Sequence, residues 1–260
     1  MKRSRGPLYA TLGVLAFLYL PLVILAAQSF NASRYGGPWH GFTLKWYARL
    51  LHDRDLWHAL RNTLLVGSGA TAVSVVLGTL AALALHWYRS RLQVLHYALI
   101  YTPLVIPDIL MGISLLLFFV ALGVDLGLGT ILLAHITFSV SYVAMVVLGR
   151  LQNFDDSLIE AAMDLGADRW TATRLVLLPL LAPGIGAGAL LAFTLSIDDF
   201  VITFFVSGTA STTLPVYIYS MMRHGSPTIV NALSVLLLVV TFALVFMSQR
   251  LLQRREPANR

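Results

Sequence analysis

The sequence predicts an all-α integral membrane protein of six transmembrane helices with both termini inside. Three observations predict it. The chain is 58% hydrophobic and only 12% charged, where a soluble domain carries about 25% charged residues. Its mean hydropathy is +0.78. Six apolar segments, near residues 8–27, 63–85, 97–122, 130–148, 182–206 and 229–247, are each long enough to cross about 30 Å of hydrocarbon.

The first segment follows Lys2, Arg3 and Arg5, as a signal peptide would. Its apolar run of about 20 residues exceeds the usual 7–15 of a cleaved signal, so an uncleaved helix over 1–28 is expected. The longest polar stretch, 29–59, follows. Gly36-Gly37-Pro38 marks a turn there. Beyond it Leu44, Tyr47, Leu50 and Leu51 fall on one helical face, which predicts a short helix on the membrane surface. Trp39, Trp46, Tyr47 and Trp57 read as interfacial anchors rather than a cation–π cradle. Asn31-Ala32-Ser33 matches a glycosylation sequon, a short and weak pattern.

The core is expected over 60–249. In the third segment Pro103 and Pro107 each lack a backbone N–H, so a break is expected just before Asp108. Such breaks are tolerated where backbone lines a cavity. His135 in the fourth segment is a candidate for hydrogen bonding across helices. Gly184, Gly186 and Gly188 thin the fifth helix for close packing, with a hinge as the alternative. Asp198 and Asp199 lie in its outer half. An acid at membrane depth is costly and faces a cavity or a partner. Adjacent residues on a helix point about 100° apart, so the two acids form a local negative rim rather than a matched pair. Asp108, Asp198 and Asp199, with no Lys or Arg at membrane depth, favour a cationic cargo. The competing reading makes Asp108 a helix cap and gives Asp198 or Asp199 a structural partner.

Topology follows from basic residues. With the N-terminus inside, twelve of the 18 Lys and Arg fall on the inner side. That places the 149–179 loop inside, together with the basic tail 250–260. The charge of +6 reflects these flanks and does not call for nucleic acid. The chain has no cysteine. Its seven histidines show no metal-ligand spacing. Its two lysines, Lys2 and Lys45, follow no phosphate-binding loop, so the chain carries no nucleotide-binding motif and is not expected to be an enzyme. A metal-bound diphosphate site at Asp198-Asp199 would need further acids nearby, and none is suitably spaced.

The 149–179 loop is a polar elbow between two membrane-length segments. Ser157 and Glu160 have capping-box spacing. Asp155 and Asp156 add negative charge near the helix N-terminus. Gly166 fits a left-handed helix stop, Asp168 can cap the next helix, Arg174 falls within it, and Pro179 restarts the chain at the membrane. The spacing Glu160-Ala161-Ala162, Gly166, Val176, Leu178-Pro179 resembles the cytoplasmic loop of permease subunits of bacterial ABC importers. Val176 stands where that family usually has Ile. The resemblance implies the type I ABC importer permease architecture. It also implies that this loop docks in a cleft of an ATP-hydrolysing subunit, through Glu160, Ala161, Ala162, Gly166, Ala167, Arg174 and Pro179.

A wider likeness runs through Ser29-Phe30-Asn31-Ala32-Ser33, Lys45-Trp46-Tyr47, Pro107-Asp108, the run from Phe193 to Phe200, and Thr213-Leu214-Pro215. These stretches resemble the spermidine/putrescine branch of such permeases, and most of all the second of the two permease subunits. The resemblance implies import of polyamines across the bacterial inner membrane. It implies a heterodimer with a homologous permease, two ATPase subunits that hold the ATP and Mg, and a periplasmic polyamine-binding protein, all in contact with membrane lipid. A gradient-driven cation transporter with Asp108 and Asp198 as the ion site is the alternative.

Overall fold

The structure, a computed structural model, describes residues 6–88, 91–225 and 227–253. Lys2, Arg3, Arg5, Arg89 and the tail arginines Arg254, Arg255 and Arg260, on which part of the topology argument rests, lie outside the described residues. Every regular element among the described residues is helical: α1 (Gly6–Gln28), α2 (Lys45–Leu51), α3 (Arg54–Trp87), α4 (Gln93–Val105), α5 (Asp108–Ala121), α6 (Leu128–Leu151), α7 (Ser157–Asp164), α8 (Arg169–Ala172), a π-helical turn (Thr173–Leu177), α9 (Leu178–Asp198), α10 (Val201–Val206), α11 (Leu214–Arg223) and α12 (Pro227–Gln253). Among the described residues four stretches are long and apolar enough to cross a membrane: Leu8–Gln28, Arg54–Trp87, Leu128–Leu151 and Arg169–Asp198. The pair α4 and α5 makes a fifth if taken as one span; it is bent by 109°. The sixth expected segment coincides with α12, whose apolar stretch among the described side chains is Pro227–Ala243.

The chain divides into two units, one drawn from Met1–Leu56 and Ile218–Arg260, the other comprising Trp57–Tyr217. In the first, the stretch between α1 and α2 is organised by Asn31, which is fully buried. Its amide donates to Gln28 Oε1 at 2.9 Å and to the Pro38 carbonyl at 3.0 Å. Its Oδ1 accepts from the Ser33 and His40 backbone amides, and its carbonyl accepts from Trp46 Nε1 at 2.8 Å. The sequon is therefore closed to modification in this fold. Trp46 and Leu50 are the buried residues of α2, whereas Leu44 and Leu51 are exposed. The Trp46 indole turns inward because it has a buried carbonyl to bond. Trp46 is not an interfacial anchor, and the Lys45 ammonium sits 4.4 Å from its ring centre. Trp39 and Trp57 are exposed. Thr228 at the start of α12 donates to the Ser33 carbonyl at 2.7 Å.

In the second unit α6 and α9 pack along their lengths. Small residues permit it: a Cβ on Gly188 would meet Val143 at 3.4 Å, and one on Gly184 would meet the Arg150 stem at 3.2 Å. Gly186 faces open space. One apolar cluster gathers Leu83, Leu85, Val143, Val147, Leu151, Leu177 and Leu181 near the elbow. A second gathers Val66, Met111, Phe119, Ile131, Phe138, Ile202 and Val206 between α5, α6 and α10.

Two expectations about the elbow need correction. Pro179 does not restart the chain: it follows directly on the π-helical turn Thr173–Leu177, a local widening that goes with the proline's missing N–H, and the helix continues through it. One helical rod therefore runs from Arg169 to Asp198, and the fifth span begins 13 residues before its expected start at Ala182 and stops before Val206. Arg174 accordingly lies in the π-helical turn, not in a regular helix.

An exposed elbow and an acid-lined notch

The elbow is built by local rules. Ser157 is the first residue of α7 rather than its cap, so the expected capping box does not form. Asp155 takes that task instead: its Oδ1 accepts the Ser157 backbone N–H at 3.0 Å. Hydrogen bonds from Ser157, side chain before backbone, hold the Asp155 carboxyl below the usual carboxylate range. At the other end of α7, Gly166 has φ +94°. Its N–H reaches the Met163 carbonyl at 2.9 Å and the Ala167 N–H reaches Ala162 at 3.1 Å, the paired bonds of a Schellman stop. Asp168 then caps α8 through the Thr171 N–H at 3.0 Å. Hydrogen bonds from Thr171 likewise hold its carboxyl low.

Phe154 and Ile159 anchor this elbow to the cluster around Val147 and Leu181. Its other side is bare. Glu160, Ala161, Gly166, Arg174 and Pro179 are exposed, and Ala162 and Ala167 are half-buried. Leu165 is 90% exposed and Trp170 67%. Such side chains make an exposed apolar patch on a short polar elbow. Sequence reading missed Leu165 and Trp170; two large apolar residues flanking a glycine stop were the available signal.

The second feature is a pocket of about 330 Å³ lined by Pro103, Asp108, Phe138, Tyr142, Leu195, Asp198, Asp199 and Phe200, among others. The three acids singled out in the sequence thus converge, though they come from two different helix breaks. At the first, α4 ends at Val105 and α5 begins at Asp108. At the second, α9 ends at Asp198 and α10 begins at Val201. Asp108 and Asp198 are exposed to the pocket, and neither carboxylate bonds another residue among the described residues.

Asp199 is different. Its side chain is 9% exposed. Its Oδ2 accepts the Thr203 N–H and the Thr203 hydroxyl, both at 2.8 Å, and its Oδ1 accepts the Ile202 N–H at 3.3 Å. It caps α10 from within. His135, on α6 and 1% exposed, sits with Nε2 3.3 Å from Asp199 Oδ2. The hydrogen bond across helices expected of His135 is present, to Ser196 Oγ at 2.7 Å. Among the described residues no group of three or more His, Asp or Glu could hold a metal ion.

Several apolar spans, a bent helix pair that turns back beside an acid-lined notch, and a bare polar elbow define the membrane component of a transport system. The chain belongs to the family of binding-protein-dependent transport system inner membrane components, whose profile matches residues 74–256. It is 40% identical over 246 residues to the spermidine/putrescine transport system permease protein PotC of Escherichia coli (strain K12), covering 95% of this chain and 93% of that one. It is 42% identical over 247 residues to the putrescine transport system permease protein PotI of the same strain, covering 92% and 88%. Among solved structures, a bacterial ABC transporter that imports the acidic polysaccharide alginate superposes with a TM-score of 0.74 at 19% identity, covering 97% of each chain. The MetNI methionine ABC transporter, in inward-facing conformations, gives 0.63 at 21% identity over 83% of this chain and 100% of that one. The multi-pass, all-helical permease fold expected from the sequence is therefore the fold observed.

Proposed function

We propose that the chain is a permease subunit of an ATP-driven polyamine importer. It would pair with a homologous permease, two ATPase subunits and a periplasmic polyamine-binding protein in the bacterial inner membrane. Six crossings with both termini inside put the elbow on the cytoplasmic side, where ATP is. The observation that carries the reading is the elbow itself: it matches the family spacing and leaves Leu165 and Trp170 uncovered. Glu160, Ala161, Ala162, Gly166, Ala167, Arg174 and Pro179 form the docking surface. ATP and Mg belong to the partner ATPase, and this chain holds no cofactor.

The mechanism is coupling. ATP closes the two ATPases, the elbow moves with them, and Phe154, Ile159 and Leu177 carry that motion into the packed core. ATP drives the switch only through its differential affinity for the two states. At the notch, Asp108 and Asp198 meet the ammonium groups of the cargo, and Phe138, Tyr142 and Phe200 supply apolar walls suited to its methylene chain. The relatives named for spermidine and putrescine support this cargo.

Two measurements test the reading. Proteoliposomes holding the whole complex and ATP should import polyamine with an uncoupler present; loss of uptake would favour the gradient-driven alternative. Gly166→Pro should abolish uptake and stimulated ATP hydrolysis while leaving insertion intact, because proline cannot adopt φ +94°. Unchanged uptake in that variant would reject the docking role.

A further inference from the structure

His135 comes from α6, while Ser196, Asp199 and Thr203 come from the end of α9, the break and α10. His135, Thr203 and Asp199 contact one another in a closed triangle, and Ser196 bonds the other ring nitrogen of His135. Thr203 Oγ1 donates to Asp199 Oδ2 at 2.8 Å. Its one proton is then used, so its oxygen can only accept from His135 Nε2, 2.9 Å away. That places a proton on Nε2, directed at both Thr203 and Asp199 Oδ2. Nδ1 is left to the Ser196 hydroxyl at 2.7 Å. The Phe138 ring, 5.3 Å from the imidazole centre to centre, closes one side.

Asp199 therefore has its charge met by two backbone amides, a hydroxyl and an imidazole, all inside the protein. The carboxylate of its neighbour Asp198 is met by no other residue among the described residues. Both residues line the pocket, but one peptide bond separates a carboxylate engaged by protein donors from one left to the pocket. We propose that His135 is a positioning residue: it holds Asp199 inward as the cap of α10 and so leaves the pathway with two cargo-reading carboxylates, Asp108 and Asp198, rather than three. The consequence for specificity is chemical. Two free carboxylates suit a cation with two or more ammonium groups, whereas a third would bind it more tightly and release it more slowly. The inference rests on the cargo reading above only in this last step; the inward hold on Asp199 stands without it.

The test uses the whole complex and separates the two claims. Carbodiimide labelling of carboxylates with an amine tag, read residue by residue by tandem mass spectrometry, should modify Asp108 and Asp198 in the native protein and spare Asp199. In His135→Leu the labelling of Asp199 should rise about tenfold, the order expected for losing one hydrogen bond to a charged group, and uptake per assembled complex should fall. His135→Gln, which restores an N–H donor, should recover much of both. If His135→Leu fails to assemble, Thr203→Val removes the bridging hydroxyl and should unmask Asp199 in the same way. Labelling of Asp199 as fast as Asp198 in the native protein, or protection unchanged in both His135→Leu and Thr203→Val, overturns the proposal. Native uptake by Asp108→Asn and Asp198→Asn, alongside an unmasked Asp199 in His135→Leu, would remove the cargo reading and leave the positioning role standing.

Discussion

The two breaks that frame the notch are made in opposite ways. Between α4 and α5 the chain turns by 109° because covalent chemistry forces it: Pro107 has no N–H to give, and a residue before proline avoids the helical region. Asp108 follows without shaping that turn, and its carboxylate is left unspent. Between α9 and α10 there is no proline. Asp199 stops one helix and starts the next by accepting the amides of Ile202 and Thr203, and His135 fixes it there. The same residue type is a bystander to one break and the cause of the other. An acid at membrane depth is thus informative only once its partners are counted.

This contrast can be tested by substitution. The largest effect should come from Asp199→Ala. It removes a cap and leaves His135 and Thr203 with buried, unmet groups, at a cost of about 2 kcal/mol or more. Recovery of assembled complex and its thermal stability in detergent should both drop. Retention of native stability would show that the second break, like the first, is made by backbone alone. Next come Asp108→Asn and Asp198→Asn. Each should leave assembly near native and lower polyamine uptake per complex by about tenfold, the order expected for one charge-assisted contact to an ammonium. Pro107→Ala should be milder. It restores a donor at the bend but leaves the packing of α5 on α10, where a Cβ on Gly112 would already meet Phe205 at 2.8 Å. A reduction of uptake smaller than that of Asp108→Asn is expected, with assembly intact.

The smallest effect concerns the elbow's acids. Asp155 and Asp168 titrate below the usual range because their charged forms accept hydrogen bonds. Their stabilisation is fully present above the unfolded carboxylate value of 3.8 and is lost only as pH falls through the lower folded value. Acidification from neutral to about pH 5 should therefore leave the elbow's resistance to trypsin at Arg169 and Arg174 unchanged. Asp168→Ala should raise cleavage there modestly at every pH in that range.

What could be read from the sequence divides along the same line. The Gly166 stop, the Asp168 cap and the Pro107 break are local, each determined by a few adjacent residues, and all three are where spacing put them. The acids at 108, 198 and 199 were visible as a group, but their separate situations were not. Asp199 is turned inward by a histidine 64 positions earlier in the chain, and no periodicity reports such a meeting. Trp46 was misjudged as an interfacial anchor because its residue type and loop position suit one equally well. The carbonyl of Asn31 that bonds the Trp46 indole is visible only in the fold. The start of the fifth span was missed because Pro179 reads as a helix break in sequence, whereas the helix runs through it just after the π-helical turn Thr173–Leu177.

The uninterrupted rod from Arg169 to Asp198 has a mechanical consequence. Its 30 residues extend about 45 Å at 1.5 Å per residue. Tilting such a strut by about 5° about its lower end sweeps the upper end through about 4 Å, more than the length of a hydrogen bond. A nudge below is thus enough to displace the Asp198 carboxylate above by more than a hydrogen-bond length, with no relay of side chains in between. The π-helical turn at Thr173–Leu177 is then the natural place for such a strut to yield.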